Sequence, residues 1–163
     1  MTFFVSPIRR TRVYFWTGIA GLCLLAYVML TGHPLKATPK SFAFAFSVVT
    51  GTALAACIMY QWALLIARLS GQHQAARRHY RNHRYVGTAA LYLFLVHAGG
   101  LGYALLTVLP MLFLVVSITG LFNAEVISMP PALRRWWGYL HVGLSGLLLP
   151  LIALHAWAAL AFK

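Results

Sequence analysis

His83-Arg-Tyr-Val-Gly-Thr-Ala-Ala-Leu-Tyr-Leu-Phe-Leu-Val-His97 has a counterpart near the end of the chain, His141-Val-Gly-Leu-Ser-Gly-Leu-Leu-Leu-Pro-Leu-Ile-Ala-Leu-His155. In each stretch two histidines stand fourteen residues apart in largely apolar surroundings. At about 100° per residue, that interval returns a helix to within roughly 40° of its starting face and rises about 21 Å. Each stretch therefore presents two imidazoles on one face at two heights. Two such helices side by side would offer two tiers of facing histidine pairs.

Composition says what surrounds those helices. Of 163 residues, 61% are hydrophobic and only 9% charged, more apolar surface than a soluble domain of this size can bury. The expectation is an all-α integral membrane protein forming one domain. Thirteen lysines and arginines face a single acid, Glu125. In a soluble chain that balance would suggest nucleic acid. Here the basic residues sit between apolar runs, where topology and anionic lipid headgroups account for them, and nucleic acid is not an expected partner. Cys23 and Cys57 lie in apolar segments as small packing residues. Arg9, Arg10 and Arg12 precede an apolar run with no small-residue cleavage site after it, so the run reads as a retained first helix.

Five spans are predicted, at about 13–31, 42–67, 83–107, 110–126 and 134–162. Gly32 and Pro34 end the first, and Ser41 is a plausible N-cap for the second. A basic loop, 68–84, follows; it holds His73 and His79, which read as solvated. Residues 85–124 carry no charge and suit two helices with a tight turn, at 99–102 or at 107–110. The second position is preferred, because Pro110 suits a first helical position. Residues 127–133, with Pro130 and Pro131, read as a loop. His33 reads as a surface residue, and Glu125 as a neutraliser of a nearby arginine or, as the second reading, an aid to proton uptake at a quinone site.

With the N-terminus inside and the C-terminus outside, the inner face collects Arg9, Arg10, Arg12, Arg68, Arg77, Arg78, Arg81, Arg84, Arg134 and Arg135. The outer face collects Lys36, Lys40 and Lys163. That asymmetry follows the positive-inside rule and points to the cell's inner (plasma) membrane. Spans three and five then run in the same direction. His83 and His141 share the inner height, and His97 and His155 the outer.

A polar side chain in hydrocarbon is costly and is tolerated where it has a partner. Neutral imidazole is the usual nitrogen ligand of haem iron, and two axial imidazoles leave no open position, which suits electron transfer. The expectation is two bis-histidine haem b groups, with His83, His97, His141 and His155 as iron ligands. Arg84, Arg134 and Arg135 stand where the propionates would need cations. No C-x-x-C-H occurs, so covalent haem attachment is excluded. Gly87, Gly143 and Gly146 could let a porphyrin approach a helix backbone.

These residues resemble a known family. Arg84-x-x-Gly87, with His97 ten residues after the glycine, is similar to the third helix of the ferric-reductase-like transmembrane family. Trp137-x-x-Leu140-His141 followed by His155 is similar to a later haem-binding helix of that family. The family includes ferric reductases, NADPH oxidases and the membrane haem subunit of the periplasmic methionine sulfoxide reductase system. The resemblance covers about residues 80–163. It implies cross-helix ligation, His83 with His141 and His97 with His155. It also implies electron transfer between a cytoplasmic flavoprotein or a quinol and an outer partner, such as a periplasmic oxidoreductase or a cytochrome c. A quinone is a further candidate ligand. The interval from His141 to His155 is one residue longer than in many members, which predicts a local adjustment near Pro150. No G-x-G-x-x-G loop occurs, so the flavin and nicotinamide domain of the larger members has no counterpart here. The rival expectation is a haem-free membrane anchor or assembly subunit, in which the histidines bond neighbouring helices.

Overall fold

Gly32 and Gly71 both adopt φ of +68°, and each closes a helix. The computed structural model describes residues 8–32, 42–98, 104–122 and 128–162, with side chains from residue 13 onward. Among the described residues there are five α-helices and no strands: α1 (Ile8–Thr31), α2 (Ala43–Leu69), α3 (His73–His97), α4 (Leu105–Leu121) and α5 (Pro131–Ala161).

The α2–α3 turn fixes more of the architecture than any other connection. The amide of Gln72 donates to the Ala67 carbonyl at 2.9 Å, and that of Gly71 to the Arg68 carbonyl at 3.2 Å. This paired C-terminal closure needs a left-handed residue, which glycine supplies without steric cost. Three residues thus reverse the chain, and α3 lies back along α2 in the most extensive helix contact of the fold. The basic segment expected as a loop is therefore mostly helix. Arg68 belongs to the last turn of α2, and α3 starts at His73. The cause is local: Gly71 closes α2, and nothing from His73 to Arg84 breaks a helix.

The break between α3 and α4 also differs from expectation. α3 does not continue to 107; it ends at His97, and α4 begins at Leu105 with Pro110 inside it. Glycines at 99, 100 and 102 each disfavour helix by about 1 kcal/mol, and together they outweigh the preference of Pro110 for a first turn. Pro131, by contrast, does occupy a first-turn position. α5 starts there, three residues before the expected Arg134, because the proline ring presets the helical φ and lacks only an amide that would have gone unbonded. α5 runs unbroken through Pro150. Ser41, His33, Glu125 and residue 127, the first of the expected 127–133 loop, lie outside the described residues.

α1 settles between α3 and α4. Two glycines make that approach close: a Cβ on Gly18 would lie 2.7 Å from Leu121 Cδ1, and one on Gly21 2.7 Å from Leu91 Cδ2. Small residues at such crossings let helix backbones draw together. Phe94 and Phe113 stack at 4.6 Å between α3 and α4, and Leu25 and Leu91 are buried beside them. Tyr92 ties the same region to α1 by donating its hydroxyl to the Thr17 carbonyl at 2.7 Å.

Outside this core the surface is apolar. Val13–Thr31, Ala43–Leu69 and Pro131–Ala161 are each long and apolar enough to cross a membrane. They turn Leu30, Met59, Leu147 and Trp157 outward. Continuous apolar surface of that kind is matched to lipid rather than water. It marks a membrane protein. α4, at 17 residues, is a shorter apolar helix, and the charged half of α3 precedes Tyr85.

Candidate functional site: two tiers of paired imidazoles

α2 packs on α3 and α4 on α5, but α3 and α5 do not pack closely on each other. Imidazoles bridge the space between them. The rings of His83 and His141 have centroids 6.0 Å apart at an interplanar angle of 78°. Those of His97 and His155 are 6.1 Å apart at 85°. Both pairs form in the same order along both helices, so α3 and α5 run in the same direction.

The spacing has a chemical meaning. A metal–imidazole bond is about 2.0 Å, and the nitrogen lies about 1.1 Å from its ring centre, so two imidazoles on opposite sides of one metal have centroids about 6.2 Å apart. Edge-to-face ring pairs fall in the same distance range. What sets this pair of tiers apart is their repetition and their surroundings. No group of three or more His, Cys, Asp or Glu side chains that could hold a metal ion occurs among the described residues. A metal held by either pair would need its other ligands from a molecule that brings them, as the four nitrogens of a porphyrin do.

Two of the four imidazoles are held by threonine. Nδ1 of His97, on α3, lies 3.1 Å from Oγ1 of Thr50 on α2. Nδ1 of His141, on α5, lies 3.0 Å from Oγ1 of Thr119 on α4. Beside each threonine is a glycine against which the ring sits. A Cβ on Gly51 would be 2.9 Å from His97 Cε1, and one on Gly120 3.0 Å from His141 Cε1. Sequence reading missed both threonines. Thr-Gly occurs within α2 at 50–51 and in the last turn of α4 at 119–120, but also at 17–18 and 31–32, so the dipeptide alone does not single them out.

The His83–His141 tier opens into a cavity of about 430 Å³, within the usual range for small-molecule and cofactor sites. His83, His141, Arg68, Arg84 and Arg134 line it. Arg84 stacks on Tyr80 and Tyr14, with its guanidinium carbon 4.3 Å and 5.1 Å from the ring centres, and donates to the Tyr80 hydroxyl at 2.7 Å. Arg134 reaches the Met129 carbonyl at 3.4 Å. Arg135 is exposed and does not line the cavity, so of the three expected arginines it is the one the fold leaves out. Arg68 takes part instead, with its guanidinium 5.7 Å from the Tyr80 ring. Its place follows from the tight α2–α3 turn, which a loop at 68–84 would not have produced.

The polar atoms around this cavity fit a ligand with polar ends. Both amide atoms of Gln61, the Tyr14 hydroxyl and Nδ1 of His83 are buried without a hydrogen-bond partner of standard geometry. Buried polar atoms normally find partners, and a group entering the cavity would supply them. Guanidinium groups collect on this wall, and no acid occurs among the described residues. The cavity thus suits a molecule with an apolar body and carboxylates. Gly87 lines it, whereas Gly143 and Gly146 do not.

The remaining described histidines stand apart from the tiers. His73 is exposed; His79 is half-buried in α3 with its Nδ1 3.4 Å from the Tyr60 hydroxyl. Cys23 and Cys57 are free. Compared with family models, curated proteins and solved structures, the chain finds no match in any of the three.

Proposed function

We propose that this chain is the haem-binding membrane subunit of an electron-transfer system. It crosses the inner (plasma) membrane five times, with the N-terminus inside and the C-terminus outside. His83 with His141 and His97 with His155 are the axial ligands of two haem b groups. Electrons enter on the inner side from a quinol or a flavoprotein and leave to an outer partner, a periplasmic oxidoreductase or a cytochrome c. The resemblance to ferric-reductase-like proteins points the same way.

The single observation that supports this most is the recurrence of one ring spacing, 6.0 Å and 6.1 Å, at two heights between helices that are otherwise not packed together. A haem held between two imidazoles supplies a one-electron couple with no open coordination position. The chain's own residues set its place and environment. Arg68, Arg84 and Arg134 offer guanidiniums to carboxylates at the inner end of the cavity, a geometry that planar forked donors favour. Leu91, Phe94 and Phe113 exclude water between the tiers. The fourteen-residue interval separates the tiers by about 21 Å along each helix.

The test is a reduced-minus-oxidised absorption spectrum of the purified full-length protein, with haem quantified per chain. Sharp α and Soret bands and two haems per chain are expected. A flat spectrum would overturn the proposal in favour of a haem-free anchor.

A further inference from the structure

We infer that Thr50-Gly51 and Thr119-Gly120 are two copies of one docking notch. Each holds a single histidine of its tier, His97 or His141, as the tautomer protonated on Nδ1, with the ring's lone pair on Nε2. The redox consequence rests on the haem reading above; the tautomer itself does not.

The hydroxyl's single proton decides the tautomer. A threonine hydroxyl has one hydrogen and two lone pairs. Oγ1 of Thr50 lies 2.8 Å from the Phe46 carbonyl, and Oγ1 of Thr119 lies 2.9 Å from that of Val116. A carbonyl can only accept, so each hydroxyl proton is committed to its own helix. The oxygen then faces the imidazole as an acceptor, and Nδ1 must carry the hydrogen shared with it. In a neutral ring the lone pair is left on Nε2, the atom a metal would take.

Sterics complete the notch. A side chain larger than hydrogen at 51 or 120 would press on Cε1 of the docked ring. Thr50 and Thr119 are both buried, so no water competes for either hydroxyl. The two notches sit on different helices and serve different tiers: α2 holds His97 of the outer pair, and α4 holds His141 of the inner. No hydroxyl stands at Nδ1 of His83, nor is one bonded to His155, among the described residues. Each tier thus has one threonine-held imidazole, and the two are contributed by opposite helices. An N–H donated to an acceptor makes imidazole a stronger ligand and fixes its ring orientation.

Two measurements judge this. Histidine ¹⁵N spectra of the full-length chain, expressed in a host unable to make haem, should show His97 and His141 protonated on Nδ1. Thr50→Val should release only His97 and Thr119→Val only His141, while T50S and T119S keep the wild-type pattern. Finding either ring protonated on Nε2 in the wild type, or no change in the valine variants, would overturn the notch. In haem-loaded protein, T119V should raise the midpoint potential of the inner couple alone and T50V that of the outer alone, both with full haem content. Unshifted potentials in both variants would also overturn it. If the wild type binds no haem, the proposed function fails, and the nitrogen spectra still decide the notch on the chain in its native form.

Discussion

The indole Nε1 of Trp137 donates to the main-chain carbonyl of Thr119 at 2.8 Å. One helical turn further along α5, His141 meets the hydroxyl of that same threonine. Thr119 is thus gripped by α5 twice, which explains mechanically why tryptophan and histidine stand four residues apart in Trp137-x-x-Leu140-His141. Replacing Trp137 with Phe keeps the ring and removes the donor, leaving a buried carbonyl unpaired. The expected cost is about 1–3 kcal/mol. Thermal unfolding in detergent measures it, and absorbance changes should be confined to the inner tier.

Ligand pairing is testable by deletion. His97→Ala and His155→Ala should each abolish the same haem and spare the other; His83→Ala and His141→Ala should together define the second. Haem content per chain and low-temperature α-band spectra distinguish the two. Loss of different haems in H97A and H155A would break the cross-helix pairing.

Arg84 and Arg135 separate a cavity-lining charge from a surface one. Arg84→Ala should shift the inner potential more than the outer, because its guanidinium lines the inner cavity over Tyr80 and Tyr14. R84K should not restore the wild-type value, since an ammonium neither stacks nor forks. Arg135→Ala should leave both potentials unchanged. Redox titration of the three variants reads the order.

Two glycines should respond oppositely to the same substitution. Gly21→Ala puts a methyl against Leu91, which is buried and cannot yield freely; about 1–3 kcal/mol of destabilisation is expected. Gly143→Ala meets nothing within 4 Å and should stabilise α5 by about 0.5–1 kcal/mol. Melting temperatures of the two variants in one detergent give the comparison.

Orientation has its own assay. Alkaline phosphatase fused after Lys163 should be active, because that end is proposed to face outward, and a fusion within the Ser70–Gln72 turn should be inactive. The reverse pattern would invert the positive-inside reading.

By itself the sequence determined the class of protein, the all-helical pattern and the two fourteen-residue histidine intervals. These are readable because apolar composition and helical periodicity are properties of one segment at a time. It also foretold that His83 would share a level with His141 and His97 with His155, since two helices separated by one antiparallel helix run the same way. Only the structure decided the helix ends: α3 stops at His97 and α4 starts at Leu105, which leaves Pro110 inside a helix rather than at its start. It alone brought Arg68 into the cavity and left Arg135 out, because register across an antiparallel turn is set by where that turn closes. Thr50 and Thr119 became partners of histidines 47 and 22 residues away for the same reason. A hydroxyl's neighbour across a helix interface is fixed by packing between segments, which no periodicity within either segment records.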